Sequence, residues 1–219
     1  MKKNAFVNII VLIIGLLPLC YLFYMYPKMP AIVPTHFGIN GKPNRFDPKS
    51  KLVLIECIVV GISLLTYLLM KFMPVIGPKK YSQLNQSRYQ KLGIGIVIFM
   101  AVLVTCMTYA TTGTALDIGK VIIALMGALF VFIGNLIYNI KPNYFAGIRT
   151  PWTLENENNW RATHHLAGKV FVAGGIIITI ARLALPLAIG MYIFFIGLAI
   201  IVIVPIAYSY IYFKKHQTK

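Results

Sequence analysis

The sequence predicts an all-α protein: a polytopic membrane helix bundle of about six transmembrane helices, with N- and C-termini both cytoplasmic. Three observations carry this. The 219-residue chain is 58% hydrophobic and only 12% charged, with a mean hydropathy of +0.76, whereas an ordinary soluble domain carries about 25% charged residues. Its apolar residues fall into six runs, and ~20 apolar residues suffice to cross a bilayer as a helix. Basic residues flank these runs unequally, which is how orientation is written. The net charge of +16 therefore reads as membrane topology, and no direct nucleic acid binding is expected.

The first run, Asn4–Tyr26, is too long for the ~7–15-residue core of a secretory signal, and no A-x-A-like site follows. Cys20 follows Leu19, where a lipoprotein cleavage site needs a small residue, so an uncleaved first span is expected. The segment Pro27–Lys51 carries prolines at 27, 30, 34, 43 and 48. Proline fixes φ and removes a donor, so helix cannot persist there, and Asn40-Gly41 and Pro43-Asn44 signal turns. The reading is a stiff, folded-back outer loop presenting His36, Phe37, Arg45 and Phe46. The alternative is a connector whose aromatic residues anchor at the membrane interface.

The second run is Leu52–Phe72. Glu56 lies about one turn inside it, where a carboxylate raises a functional question; contact with water, Lys51 or another lysine is the simpler expectation. The loop Pro74–Lys91, with Tyr81 and Tyr89, is basic and suited to anionic lipid. Leu92–Thr112 and Ile118–Ile140 form the third and fourth runs, joined by a short turn around Gly113. Asp117 and Lys120 are spaced for a helix-end pair. Asn135, Asn139 and Asn143 recur every four residues, as a polar ladder on one helix face would. Leu166–Leu185 and Pro186–Phe213 complete the six, with Arg182 expected to snorkel outward. With the N-terminus inside, Lys28, Lys42, Arg45, Lys49, Lys51, Lys120 and Arg182 are outer; the other fourteen of the 21 basic residues are inner.

The longest polar interruption in the second half is Asn143–Lys169, NYFAGIRTPWTLENENNWRATHHLAGK. Thr150 before Pro151 reads as a helix N-cap with proline at the first position, and Thr153 could cap one turn later. Glu155 and Glu157 suit the first turns of a helix. Trp160 and His164, four apart, share a face. Arg149, the Thr150 and Thr153 hydroxyls and the free N–H groups of the helix start suggest either an anion site or an internal clamp.

GIRTPWTLENE followed by W-x-x-x-H and a glycine resembles the signature of the SdpI family of bacterial multi-pass membrane proteins. P-T-H-F followed by a glycine resembles the domain often found ahead of that signature. The resemblance implies a plasma-membrane immunity protein and receptor for a secreted peptide toxin. It further implies that an ArsR-like repressor is held at the cytoplasmic face. Partner-binding candidates on that face are Arg149, Thr150, Pro151, Trp152, Thr153, Glu157, Trp160 and His164. Toxin-facing candidates are His36, Phe37, Arg45 and Phe46. Two regions are expected: 1–91, with the extracellular loop 27–51, and 92–219, with the cytoplasmic signature loop 141–169.

No P-loop, G-x-S-x-G or dinucleotide fingerprint occurs, and adjacent His164 and His165 do not form a chelating pair. No catalytic residue, metal site or cofactor is expected; the partners are membrane lipids, the toxin and the repressor. A small membrane transporter or channel is the alternative, on the strength of Glu56 and the asparagine series.

Overall fold

The computed structural model describes residues 2–38, 41–76, 85–112, 117–143 and 145–217. Asn40, Lys79, Lys80, Tyr81 and the turn at Gly113 lie outside the described residues. Seven α-helices are present there: α1 (Lys2–Met25), α2 (Lys49–Ile76), α3 (Gln86–Ala110), α4 (Ile118–Ile137), α5 (Pro151–Glu155), α6 (Glu157–Ala184) and α7 (Leu187–Gln217). All except the short α5 are long and apolar enough to cross a membrane. Large side chains such as Leu17, Ile62, Ile177 and Ile203 are more than half exposed. Only a hydrocarbon solvent suits such a surface, and the protein is a multi-pass membrane protein.

Departing from a wholly helical chain, Ile32–Phe37 (β1) and Pro43–Pro48 (β2) pair as an antiparallel hairpin. Pro34, Pro43 and Pro48 stand on this two-stranded ribbon, where missing donors are tolerated at an edge. Gly41, at φ +73, closes its turn, with Gly38 N–H to Lys42 O at 2.8 Å. Val33 is fully buried and packs with Leu22, Met29 and Leu52, which seats the hairpin on α1 and α2.

The chain divides into two compact units that do not follow chain order: residues 1–70 with 93–122, and 71–92 with 123–219. In the first, Val11, Tyr67 and Val97 form a core, and Tyr67 donates to Asn8 Oδ1 at 2.7 Å. In the second, Ile123, Phe130, Ile178 and Ile201 form one core and Ile137, Ile140, Trp160 and Ala167 another.

Several expectations need correction. Helix α4 ends at Ile137, not Ile140, and Pro142, which lacks a donor and disfavours helix at Lys141, prevents it from resuming. The three asparagines therefore do not share a helix face. Asn135 bonds its own helix at Val131 O, Asn139 meets His165 and Asn143 folds the following loop. Helix α6 begins nine residues before Leu166, at Glu157. Asn156 caps it, accepting from the N–H groups of Asn158 and Asn159 at 2.9 and 3.0 Å, so Thr153 is not that cap. Asp117 accepts the Lys120 backbone N–H at 2.9 Å and caps α4. Arg182 does not snorkel: it is fully buried. The tight turn at Leu185–Pro186 lays the first turn of α7 across it, with Gly190 against its aliphatic chain.

Helices α4 and α6 touch backbone to backbone. A Cβ on Gly175 would stand 2.5 Å from Gly127 O, and one on Gly168 would stand 2.9 Å from Gly134 O. Gly61 on α2 has nothing within 4 Å. Gly175→Ala should therefore cost about 1–3 kcal/mol through overpacking. Gly61→Ala should be neutral or stabilise by up to about 1 kcal/mol, both measured by unfolding in detergent.

Candidate functional site

Between Tyr138 and Thr150 the backbone leaves the helix, and side chains replace the helical hydrogen bonds. Asn143 does most of the folding. Its Oδ1 accepts from Phe145 and Ala146 N–H at 2.8 and 2.7 Å, and its Nδ2 donates to Ala146 O at 2.9 Å. Three residues beyond the end of α4, Ile140 O accepts from Trp160 Nε1 at 2.8 Å. The fully buried His164 stacks on Trp160 with centroids 4.1 Å apart. His164 accepts Ile148 N–H at Nε2 (2.9 Å), and its Nδ1 faces Trp160 O at 2.8 Å. An N–H donor at one nitrogen and a carbonyl at the other select the neutral Nδ1–H tautomer. Gly147 makes room for the ring: its φ is +116, and a Cβ there would strike His164 Nε2.

The start of α5 is a capping box. The Thr150 side chain accepts from Thr153 N–H at 3.3 Å, and Thr153 Oγ1 accepts from Thr150 N–H at 2.9 Å. Thr153 Oγ1 also lies 2.9 Å from Ile148 O. Both hydroxyls are committed to the loop itself and clamp it through backbone groups, where a loop acid was the expected occupant. Trp152 Nε1 donates to Ser209 Oγ at 2.7 Å, and Asn159 Nδ2 to Ser209 O at 3.0 Å. These contacts fasten the segment to α7, where Tyr210 and Phe213 pack on the Trp152 ring. Of the eight partner candidates, Thr153, Trp160 and His164 are buried and Thr150 and Trp152 half-buried, while Arg149, Pro151 and Glu157 are exposed.

The hairpin gathers the other four candidates. His36 pairs across the ladder with Arg45, and its Nδ1 lies 2.6 Å from Asn44 Oδ1. Arg45 and Phe46 are exposed; Phe37 is half-buried. Asp47 bonds Thr35 Oγ1, Lys51 Nζ at 2.8 Å and Arg45 Nε at 3.1 Å. His36 and Phe37 also line an apolar cavity of about 260 Å3, with Glu56 in its wall. Glu56 is almost wholly buried and takes a hydrogen bond from Thr108 Oγ1, 2.8 and 2.9 Å from its two oxygens. Thr108 thus stands where a contact with Lys51 was expected; Lys51 is held by Asp47 instead.

Among the described residues no group of three or more His, Cys, Asp or Glu could hold a metal ion.

Residues 139–209 match the SdpI/YfhL protein family, and residues 13–60 match a domain of unknown function, DUF1648. The whole chain is similar to "Immunity protein SdpI" of Bacillus subtilis (strain 168), 27% identical over 218 residues and covering 98% of each chain. The similarity to the SdpI/YfhL family rests on residues 139–209, about a third of the chain. No solved structure matches. The family match opens at Asn139, the partner of His165, and closes at Ser209, the partner of Trp152. It thus spans the whole clamp. The other match runs through the hairpin and reaches Glu56.

Sequence reasoning missed Asn85, Asn159, Thr163 and Ser209. Ser209 had a signal, the one serine or threonine in an aromatic, apolar span. Asn85 had none, because its partner is the backbone of a distant loop, with Lys141 O at 3.0 Å and Lys141 N–H at 3.1 Å.

His164→Ala leaves a buried N–H and carbonyl without partners and opens a void. It should cost about 2–4 kcal/mol, whereas the exposed Arg149→Ala should stay within about 0.5 kcal/mol, by unfolding in detergent.

Hydrogen bonds from Lys51 and Thr35, with Arg45 nearby, hold the Asp47 carboxyl below the usual carboxylate range. A lowered folded-state pKa stabilises above the unfolded value near 4 and is lost as pH falls through the folded one. Hydrogen-exchange protection of the hairpin should therefore decline below about pH 4, and Asp47→Asn should flatten that dependence.

Proposed function

We propose that the protein is an immunity protein and receptor that binds a secreted peptide toxin from outside the cell. When loaded, it holds an ArsR-like repressor at the cytoplasmic face. The observation that carries this reading is the near full-length likeness to an immunity protein, which takes in hairpin and clamp alike. The distribution of basic residues supports an outward hairpin and an inward clamp.

In this reading the toxin meets Arg45 and Phe46, which project from a hairpin seated by Val33, and His36 and Phe37 at the rim of the apolar cavity. Exposed aromatic and arginine side chains on a rigid mount are effective contacts, because little freedom is lost on binding. On the inner side Arg149, Pro151 and Glu157 make the contact with the repressor. Thr150, Trp152, Thr153, Trp160 and His164 act by holding them in place.

A small transporter or channel is the second reading, favoured by the buried Glu56 carboxylate beside a cavity. Intramembrane carboxylates often mark ion or solute paths.

Expression in a toxin-sensitive bacterium should raise survival, and an Arg45→Ala, Phe46→Ser double variant should lose protection while remaining in the membrane. Equal killing with and without the wild-type protein contradicts immunity. Solute flux in reconstituted vesicles that Glu56→Gln abolishes, without protection in cells, would favour the transporter.

A further inference from the structure

A second cavity, of about 330 Å3, opens beside the clamp and is polar where the first is apolar. Arg88 reaches it from the first turn of α3, Lys141 from the loop after α4, and Arg161 and His165 from α6, one turn apart. Glu157 is the acid on its wall. Asn85 grips both backbone groups of Lys141 and thereby sets the start of α3, with Arg88, beside the loop. The His165 ring stacks on Tyr138, centroids 4.5 Å apart and planes 5° apart, and its Nε2 lies 3.0 Å from Asn139 Oδ1.

Among the described residues Arg88, Lys141 and Arg161 form no salt bridge, although Glu157 and Arg161 stand four apart on one helix. Three cations facing one polar recess, with one acid among them, repel each other and favour an anion. Two guanidinium forks and an ammonium suit a tetrahedral group with several oxygens better than a planar carboxylate, which one fork satisfies. The volume lies at the small end of ligand sites, about 300–1,000 Å3, so the recess fits a headgroup-sized anion.

We infer that this recess binds a phosphate group, carried either by an anionic phospholipid or by a soluble phosphate. Arg88, Lys141 and Arg161 are its ligands, and Glu157 limits its affinity. The site is independent of the immunity reading and stands if that reading fails.

The test uses the full-length chain in nanodiscs and in detergent. One arm measures retention of phosphatidylglycerol against phosphatidylcholine by native mass spectrometry; the other titrates inorganic phosphate by calorimetry in phosphatidylcholine nanodiscs. Retention of phosphatidylglycerol alone identifies the lipid source, and saturable binding of inorganic phosphate identifies the soluble one. In whichever arm binds, Arg88→Gln, Lys141→Gln and Arg161→Gln should each weaken binding about tenfold, the loss of one charge-assisted contact. Lys91→Gln, the same charge change one turn along α3, should alter it less than about twofold. Glu157→Gln should tighten binding, which a merely structural residue would not do. No saturable binding in either arm overturns the inference. So does an equal loss in Lys91→Gln and the cavity variants, since that is diffuse attraction to a basic surface. All these side chains are at least partly exposed, and unchanged circular dichroism and elution establish that each variant is folded.

Discussion

A backbone N–H or carbonyl buried away from water without a partner costs about 1–3 kcal/mol, so a chain that leaves its helix and packs against the protein must bring its own partners. The segment from Tyr138 to Thr150 meets this constraint through side chains. Asn143 ties four backbone bonds, Trp160 takes Ile140 O, His164 takes Ile148 N–H and Thr153 takes Ile148 O. The buried Trp160–His164 stack is the centre of this arrangement. Gly147 exists to admit it, and α6 starts early enough to supply both rings from consecutive turns.

This explains a division of labour within the segment that matches the family. The string R-T-P-W-T looks from its chemistry like a polar, hydroxyl-rich recognition loop. In the structure the threonines close a capping box, the proline opens a one-turn helix and the tryptophan reaches Ser209. Arg149 is left projecting outward. Residues that determine the shape of the loop and residues able to meet a partner are therefore interleaved, and burial separates them where residue type does not.

Much of the fold was legible because the bilayer imposes it. Six apolar runs of sufficient length are visible by inspection, and each contains most of a spanning helix. The Thr150–Pro151 helix start was legible from capping chemistry, and the Trp160–His164 pair from four-residue spacing. Periodicity failed where the chain stopped being periodic. Asn135, Asn139 and Asn143 look like a ladder only if the helix continues past Ile137, and the hairpin within 32–48 hides among prolines that elsewhere mean irregular loop. Glu56 and Arg182 were misplaced for a common reason. Depth along a helix says nothing of what covers it: Thr108 comes from distant sequence, and the start of α7 reaches Arg182 only through the turn at Leu185–Pro186. The basic recess was invisible likewise, since Arg88, Lys141 and Arg161 meet only after α3, α4 and α6 pack.

The central claim is that a non-helical stretch is held as firmly as the helices around it by the Trp160–His164 stack. Amide hydrogen exchange on the full-length protein in nanodiscs tests this most directly. The account predicts that the Ala146 and Ile148 amides exchange as slowly as those of α6, and that His164→Ala releases both without releasing α4. Rapid exchange of the two amides in the unaltered protein, at the rate of an unstructured peptide, would contradict it.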